Sequence, residues 1–474
     1  MTAVSRAPET PVPSGILEHD AAAVREHADA GEEVLAGLPA KPDRTPDQQR
    51  TADEVHRSCR RLRAGFLRLH AERVYDQLTD GRTTALRVAG LAHRAAEVFP
   101  GLVPGERQLE AEGDRVQSAK EGREIDQGLF FREVLRSPVA GAHLLDSMLR
   151  PTSRAEALLP EFRRTGDLDL GTVRITRQGD AAHLTIGNTR YLNAEDNELT
   201  EDMETAVDLT LLDDRVRVGV LRGGVMTHPR YQGKRVFSAG INLTKLHDGR
   251  ISFTDFLLRR ELGYLAKLAR GLRLGENSPD WPLDTLAKPW LAAVDSFAIG
   301  GGAQLLLVFD HVIAAADAYF SLPAAQEGIV PGAANLRLPR QTGPRLARQV
   351  ILGGRKIWAA GPEAATVFDT VADPREMDQA IAAEADRLTS PAVVANRRML
   401  NLAEEPPDTF RAYLAEFALE QALRLNSADV LAQGGKGLGA SLKSLKSLES
   451  LKSPKSLEST NRRIAESRKS PGNH

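Results

Sequence analysis

Two periods of apolar residues divide the chain. From about residue 16 to 165 the spacing is helical. Val55, Cys59, Leu62, Phe66 and Leu69 follow one another at intervals of four and three, which predicts one buried helical stripe. Thr45-Pro46-Asp47-Gln48 reads as its start, a capping box with proline at the first helical position. A second run, Leu129, Phe130, Val134 and Leu135, stops at Ser137-Pro138, where proline disfavours helix in the residue before it. Leu144, Leu145, Met148 and Leu149 carry the pattern on to Pro151.

Near residue 170 the period falls to two. Val173 and Ile175 alternate with polar neighbours, Gly179-Asp180 makes a turn, and Leu184 and Ile186 resume the alternation, which predicts a hairpin. A helix follows over 197 to 212, then a nearly continuous apolar strand at Val216–Leu221. A helical stretch over about 252 to 273 precedes a second such strand, Trp290–Val294, with a glycine turn and a helix from about 302 behind it. Strands alternating with helices imply an α/β layer architecture of buried, mostly parallel strands. The stretch from 340 to 430 is again largely helical.

The expected organisation has four parts. A flexible N-terminus covers 1–15, an all-helical domain 16–168, and an α/β catalytic domain with C-terminal helices 169–432. The tail, 433–474, repeats Ser-Leu-Lys, Ser-Leu-Glu and Ser-Pro-Lys, and its composition predicts disorder. Gly434-Gly435-Lys436-Gly437 is no phosphate loop, because glycine and not serine or threonine follows the lysine.

Composition narrows the function classes. The length, 474 residues, suits two domains. A net charge of -2 gives no basic field for nucleic acid or an anionic membrane. No apolar run approaches the roughly 20 residues of a membrane helix, and no apolar signal core begins the chain, so a cytoplasmic protein is expected. The single cysteine, Cys59, excludes an intrachain disulfide and a multi-thiolate metal site, and its place on the stripe makes it a core residue. The histidines, among them His19, His27, His56, His70, His93 and His143, form no metal-ligand pattern, and no dinucleotide fingerprint opens a helix after a strand.

Two segments carry chemistry. Lys234 to Leu243 contains Phe237-Ser238-Ala239-Gly240-Ile241, and about sixty residues later Ala292 to Gln304 contains Gly300-Gly301-Gly302. Both resemble the enoyl-CoA hydratase/isomerase (crotonase) superfamily, as do Phe320-Ser321-Leu322-Pro323, Pro331-Gly332-Ala333 and Leu352–Ile357. The resemblance covers roughly residues 170 to 430. It implies a crotonase fold of repeated ββα units and an acyl-CoA substrate. It also implies an oxyanion hole made by the backbone N–H groups of Ile241 and Gly301. The physics agrees. A thioester α-proton leaves only if the enolate oxygen is stabilised, and losing one preorganised donor typically costs about 10²–10³ in rate. Glycine lets the backbone approach closely, and the second run opens a helix whose N-terminus favours negative charge. Glycine kept for packing alone is the competing reading.

The departures from the family pattern matter as much. Hydratases of this family use two glutamates, and here the corresponding positions hold Gln304 and Ala324, neither of which exchanges a proton near neutrality. Simple hydration is therefore not expected. Glu327 is either a displaced carboxylate or a surface-loop residue. Within the superfamily, the chain resembles the cofactor-independent dioxygenases of glycopeptide-antibiotic biosynthesis, which join a helical N-terminal domain to an oxyanion hole without the glutamate pair. That likeness implies oxidation of an aryl-acetyl-CoA by O₂ to an aryl glyoxylate and CoA, using no metal or flavin. It implies a homo-oligomer as well, a trimer or hexamer. Glu195 with Arg259 or Arg260 is the candidate pair for ring hydroxyls. Gln304 is a candidate partner for substrate or peroxide. Ile241, Ala324 and Ile329 are candidates for an O₂ pocket, and plain packing competes for them. His228, Lys234 and Arg235 are candidates for CoA phosphates, with a solvated basic turn as the bland reading. Two alternatives stay open: a crotonase-fold thioesterase or isomerase with Glu195 or Glu327 as base, and an inactive CoA-binding scaffold.

Overall fold

The computed structural model describes residues 9–275 and 283–433; the low-complexity tail predicted from 433 therefore lies almost wholly outside the described residues. The sequence turns into helix where the longer period ran. The Pro46–Leu78 helix starts at the predicted capping box, with Thr45 accepting from Gln48 N and Gln48 reaching back. It buries Val55, Cys59, Leu62 and Phe66. Leu69 is the correction: it is 56% exposed, while Leu67 and His70 face inward. Over 33 residues a strict four-three pattern drifts around the helix, because 3.6 residues per turn does not divide it. The Glu124–Arg136 helix ends, and the Pro138–Met148 helix begins, at Ser137-Pro138. The N-terminal segment expected to be flexible is held at its end, where Ser14 N and Gly15 N donate to Asp20 at 2.6 and 2.9 Å.

The strands appear where the period fell to two. They are β1 (Asp167–Asp169), β2 (Val173–Gln178), β3 (Ala181–Ile186), β4 (Val218–Gly223), β5 (Leu272–Arg273), β6 (Thr285–Leu286), β7 (Trp290–Val294), β8 (Phe297–Ile299), β9 (His311–Ala315), β10 (Tyr319–Ser321), β11 (Ile357–Trp358) and β12 (Thr370–Ala372). A seven-stranded sheet runs β1-β2-β3-β4-β7-β9-β12, and a three-stranded sheet runs β11-β10-β8. From β3 to β12 the large sheet is parallel, and β1 and β2 add an antiparallel edge. The parallel strands are buried on both faces, which is why β4 and β7 read as continuous apolar runs.

Two large cores result. One joins both faces of the sheets, from Ala155 to Leu388. The other is helical, and it does not stay within the N-terminal half. It unites Leu17 to Leu149 with Leu246–Ala266, Ala333 and Phe410–Leu425. The Pro407–Leu425 helix thus packs on the helical half, far from its sequence neighbours. Among the described residues no helix is long and apolar enough to cross a membrane.

Candidate active site

Where the two cores meet, the chain makes a cavity. Its lining includes Glu195, Ile241, Arg260, Glu261, Gly301, Gln304, Ala324, Glu327 and Ile329, with Phe256, Leu257, Phe417 and Gln421 closing it from the helical side.

Two backbone crossings build the floor. Glu195 pairs with Ile241 as a parallel bridge, through Glu195 N to Gly240 O at 2.7 Å and Asn242 N to Glu195 O at 2.8 Å. Ser238 pairs in the same way with Ala298, with Ile299 N donating to Ser238 O at 3.0 Å. A parallel bridge turns alternate amides outward, so Ile241 N–H points away from its partner strand. Gly301 begins a helix, whose first amides lack intrahelical acceptors. Among the described residues neither amide finds an acceptor in the protein. The two segments touch: a Cβ on Gly240 would lie 3.2 Å from Gly301 N. Gly240 has φ 87° and Gly300 φ 53°, conformations that glycine adopts freely.

One wall is charged and saturated. Arg260 is 4% exposed and uses all five of its N–H donors. Nε gives to Glu195 Oε2 at 2.8 Å, and Nη2 to Glu195 Oε1 at 3.2 Å and Gly301 O at 2.7 Å. Nη1 gives to Glu261 Oε1 at 2.7 Å and to Gln304 Oε1 at 3.0 Å. Tyr264 Oη donates to Glu195 Oε1 at 3.3 Å, and Ala333 N to Glu261 Oε2 at 3.0 Å. Burial alone would lower the guanidinium's pKa, but Glu195, Tyr264 and Glu261 raise it above its ordinary value. This pair also explains Gly301, since a Cβ there would sit 2.0 Å from Glu195 Oε2. It explains Gln304 too. Two carboxylates already share one guanidinium, and a third beside them would be repelled. With Gln304 Oε1 turned to Arg260, which offers only donors, the amide NH₂ is left for the cavity.

Much of the remaining lining is apolar. Ala324, Ile329 and Ile241 belong to it. Glu327 ends the short Ala324–Glu327 helix and lines both this cavity and an adjoining one bounded by Leu192, Ala239, Leu243, Phe297 and Ile299. Burial pushes its carboxyl up to about 7. Leu192 and Asn193, which lead into Glu195, both sit at φ 55°, a strained left-handed conformation in non-glycine residues.

The structure brings Ile241, Gly301, Gln304, Glu195, Arg260, Ala324 and Ile329 to one cavity. Arg259 is the correction. Arg259 joins the two π-helical turns Phe253–Leu258 and Arg260–Tyr264, and its side chain leaves the cavity to its neighbour. Its Nε donates to Glu204 at 2.7 Å, in a buried network with Arg87, Lys267 and Asp208. His228, Lys234 and Arg235 stand outside the cavity's lining. His228 Nδ1 accepts from Arg230 N, Lys234 is exposed, and Arg235 donates to Gly223 O at 3.1 Å. Glu261 and Gln421 were missed. Glu261 could have been suspected as a carboxylate next to Arg260; Gln421 carries no local signal. A larger cavity of about 560 Å³ lies between β2–β4 and the Met377–Leu388 helix, lined by His183, Arg222, Arg235 and Asp378. Among the described residues no group of three or more His, Cys, Asp or Glu is placed to hold a metal.

The enoyl-CoA hydratase/isomerase family model matches residues 276–420. The chain is 58% identical over 419 residues to the (3,5-dihydroxyphenyl)acetyl-CoA 1,2-dioxygenase of Amycolatopsis orientalis, covering 88% of this chain and 95% of that protein. It is 28% identical over 239 residues to a probable enoyl-CoA hydratase of Rhizobium meliloti (strain 1021), covering 49% of this chain and 82% of the relative. A crystal structure of an enoyl-CoA hydratase/isomerase from Pseudoalteromonas atlantica T6c aligns with a TM-score of 0.46 at 21% identity, over 57% of this chain and 97% of that one.

Proposed function

The chain belongs to the enoyl-CoA hydratase/isomerase (crotonase) family, and from that premise we propose that it oxidises 3,5-dihydroxyphenylacetyl-CoA with O₂ to 3,5-dihydroxyphenylglyoxylate and CoA. It is a dioxygenase, an oxidoreductase acting on an acyl-CoA, as its 58% identity to the A. orientalis enzyme supports. One observation carries the mechanistic reading: two amides without acceptors among the described residues, Ile241 and Gly301, belong to a cavity that Gln304 and Ala324 also line, the positions that by resemblance hold the family's glutamates.

The thioester carbonyl binds between those amides. They stabilise its enolate oxygen as the α-proton leaves, and water has no carboxylate at 304 or 324 to activate it. The carbanion reduces O₂ directly, with no metal or flavin, in the apolar space beside Ile241, Ala324 and Ile329. The α-peroxide attacks the thioester carbonyl, expels CoA, and O–O cleavage leaves the ketone. Glu195 accepts from one ring hydroxyl and the Gln304 amide meets the other. Arg260, with every donor engaged, holds both in place. Lys234, exposed on the loop before Ile241, is the candidate for a CoA phosphate. A cytoplasmic homo-oligomer, a trimer or hexamer, belongs to the same proposal and is read by light scattering.

The test uses metal-stripped protein with 3,5-dihydroxyphenylacetyl-CoA, following O₂ uptake and product mass. The expected result is one O₂ consumed per CoA released, with both oxygen atoms in the product. A requirement for added iron, or free aryl acetate formed without O₂, overturns it.

A further inference from the structure

The mechanism above leaves open where the α-proton goes, and one group it does not use lines the same cavity. Glu327 and Ile241 line both adjoining cavities, so the two spaces meet at this pair. Ile241 supplies one of the two free amides. The Glu327 side chain has no hydrogen-bond or ion-pair partner among the described residues. That is uncommon for a half-buried carboxylate, which normally pairs. It contrasts with Glu195 and Glu261, each bonded to Arg260.

The backbone places Glu327 without using its oxygens. Gly328 turns the chain at φ 75°. Behind it the Pro407–Leu425 helix holds the loop at three points: Arg424 Nε to Gly328 O at 2.7 Å, Val330 N to Gln421 Oε1 at 2.9 Å, and Tyr413 Oη to Gly332 O at 2.6 Å. Ala324 and Glu327 are three residues apart on one helical turn, so they share a face. A carboxylate absent at 324 thus returns to the same wall from 327.

We propose that Glu327 is the general base that removes the α-proton of the bound thioester. The inference rests on the dioxygenase reading above. The α C–H bond breaks, its proton goes to Glu327, and its electron pair moves onto the thioester oxygen between Ile241 N and Gly301 N. O₂ then bonds to the α-carbon. The peroxide attacks the carbonyl carbon and expels CoA thiolate, which takes the proton from Glu327 and leaves as thiol. The restored carboxylate accepts the second α-proton as the O–O bond breaks, and passes it to solvent. The α-carbon loses four electrons and O₂ gains four, one oxygen ending in the ketone and one in the carboxylate. A carboxyl pushed up to about 7 by burial is matched to accepting a proton near neutral pH. The charged groups around it are Glu195, Arg260 and Glu261 in the same cavity, and Arg424 and Asp429 behind the loop. None lies in ion-pair contact with it.

The experiment measures three rates in wild type, Glu327→Gln and Glu327→Asp: anaerobic exchange of the α-proton of 3,5-dihydroxyphenylacetyl-CoA in D₂O, O₂ uptake, and both against pH. Thioester affinity is titrated anaerobically, and thermal melts check folding. The expected result for Glu327→Gln is a fall of about 10²–10⁴ in exchange and uptake with affinity kept. Glu327→Asp recovers part of the loss. Wild-type kcat/KM rises through about pH 7. Exchange and uptake at wild-type rates in Glu327→Gln overturn the assignment. So does a wild-type kcat/KM flat from pH 6 to 9, a result that needs no variant. Wild-type exchange without any O₂ uptake sinks the dioxygenase reading instead, and leaves the base to be judged by the exchange rates alone.

Discussion

Two walls of one cavity treat their carboxylates in opposite ways. On the Arg260 wall, Glu195 and Glu261 are bound to a guanidinium whose five donors are all spent. On the Ala324–Ile329 side, Glu327 has no hydrogen-bond or ion-pair partner among the described residues. The first arrangement fixes positions; the second leaves a carboxyl free to gain and lose a proton. The difference lies in the neighbours, since all three are the same side chain, and it suits the proposed division between carboxylates that hold a position and one that exchanges a proton.

The comparison breaks hardest at its charged centre. Arg260→Met leaves Glu195 and Glu261 buried without their cation, and is expected to cost about 3–5 kcal/mol in urea denaturation. A loss below 1 kcal/mol would show that the wall is not held by this ion cluster. Gly301→Ala comes next. Its methyl would sit 2.0 Å from Glu195 Oε2, so the floor and the charged wall must part. A fall of about 10²–10³ in kcat is expected, with a smaller change in KM; unchanged kcat would remove Gly301 N from the oxyanion hole.

The apolar wall is sharpened by pH. The folded-state pKa of Glu327 is raised above its unfolded value, so its contribution to stability is fully present below the unfolded value of about 4.5. It is lost as pH rises through about 7. A shift of that size corresponds to roughly 3 kcal/mol. Glu327→Gln is expected to flatten this part of the stability–pH curve, and parallel curves for the two proteins would count against a lone buried carboxyl. The smallest effect tests the neighbouring arginines. Arg259→Met removes one of three cations from Glu204 and is expected to cost about 1–2 kcal/mol of stability, with KM for the thioester unchanged. A raised KM would draw Arg259 into the site.

Much of this was legible before any fold was known. The change of period near residue 170 marked where helix gives way to sheet, because a side chain's burial depends on which face it occupies. The glycine runs at 240 and 300–302 announced close backbone approach, and Gln304 and Ala324 carried the expectation of a lost acid/base pair. Other features were ambiguous in one dimension. Arg259 and Arg260 are adjacent in sequence, and only the helix and its neighbour Glu204 turn one of them away. Leu69 continued a stripe by spacing, but a long helix drifts out of register with it.

The chain by itself determined the α/β class and the two glycine-bearing segments that meet in the cavity, since these follow from residue type and local spacing. Tertiary structure alone decided that the Pro407–Leu425 helix crosses back to the helical half and braces the loop from Gly328 to Gly332. It alone decided that Glu327 stands unpaired beside Ile241. Whether a carboxylate is a surface residue or a base depends on which groups reach it. The loop that carries Glu327 is held by side chains more than eighty positions away, through packing that no local pattern records.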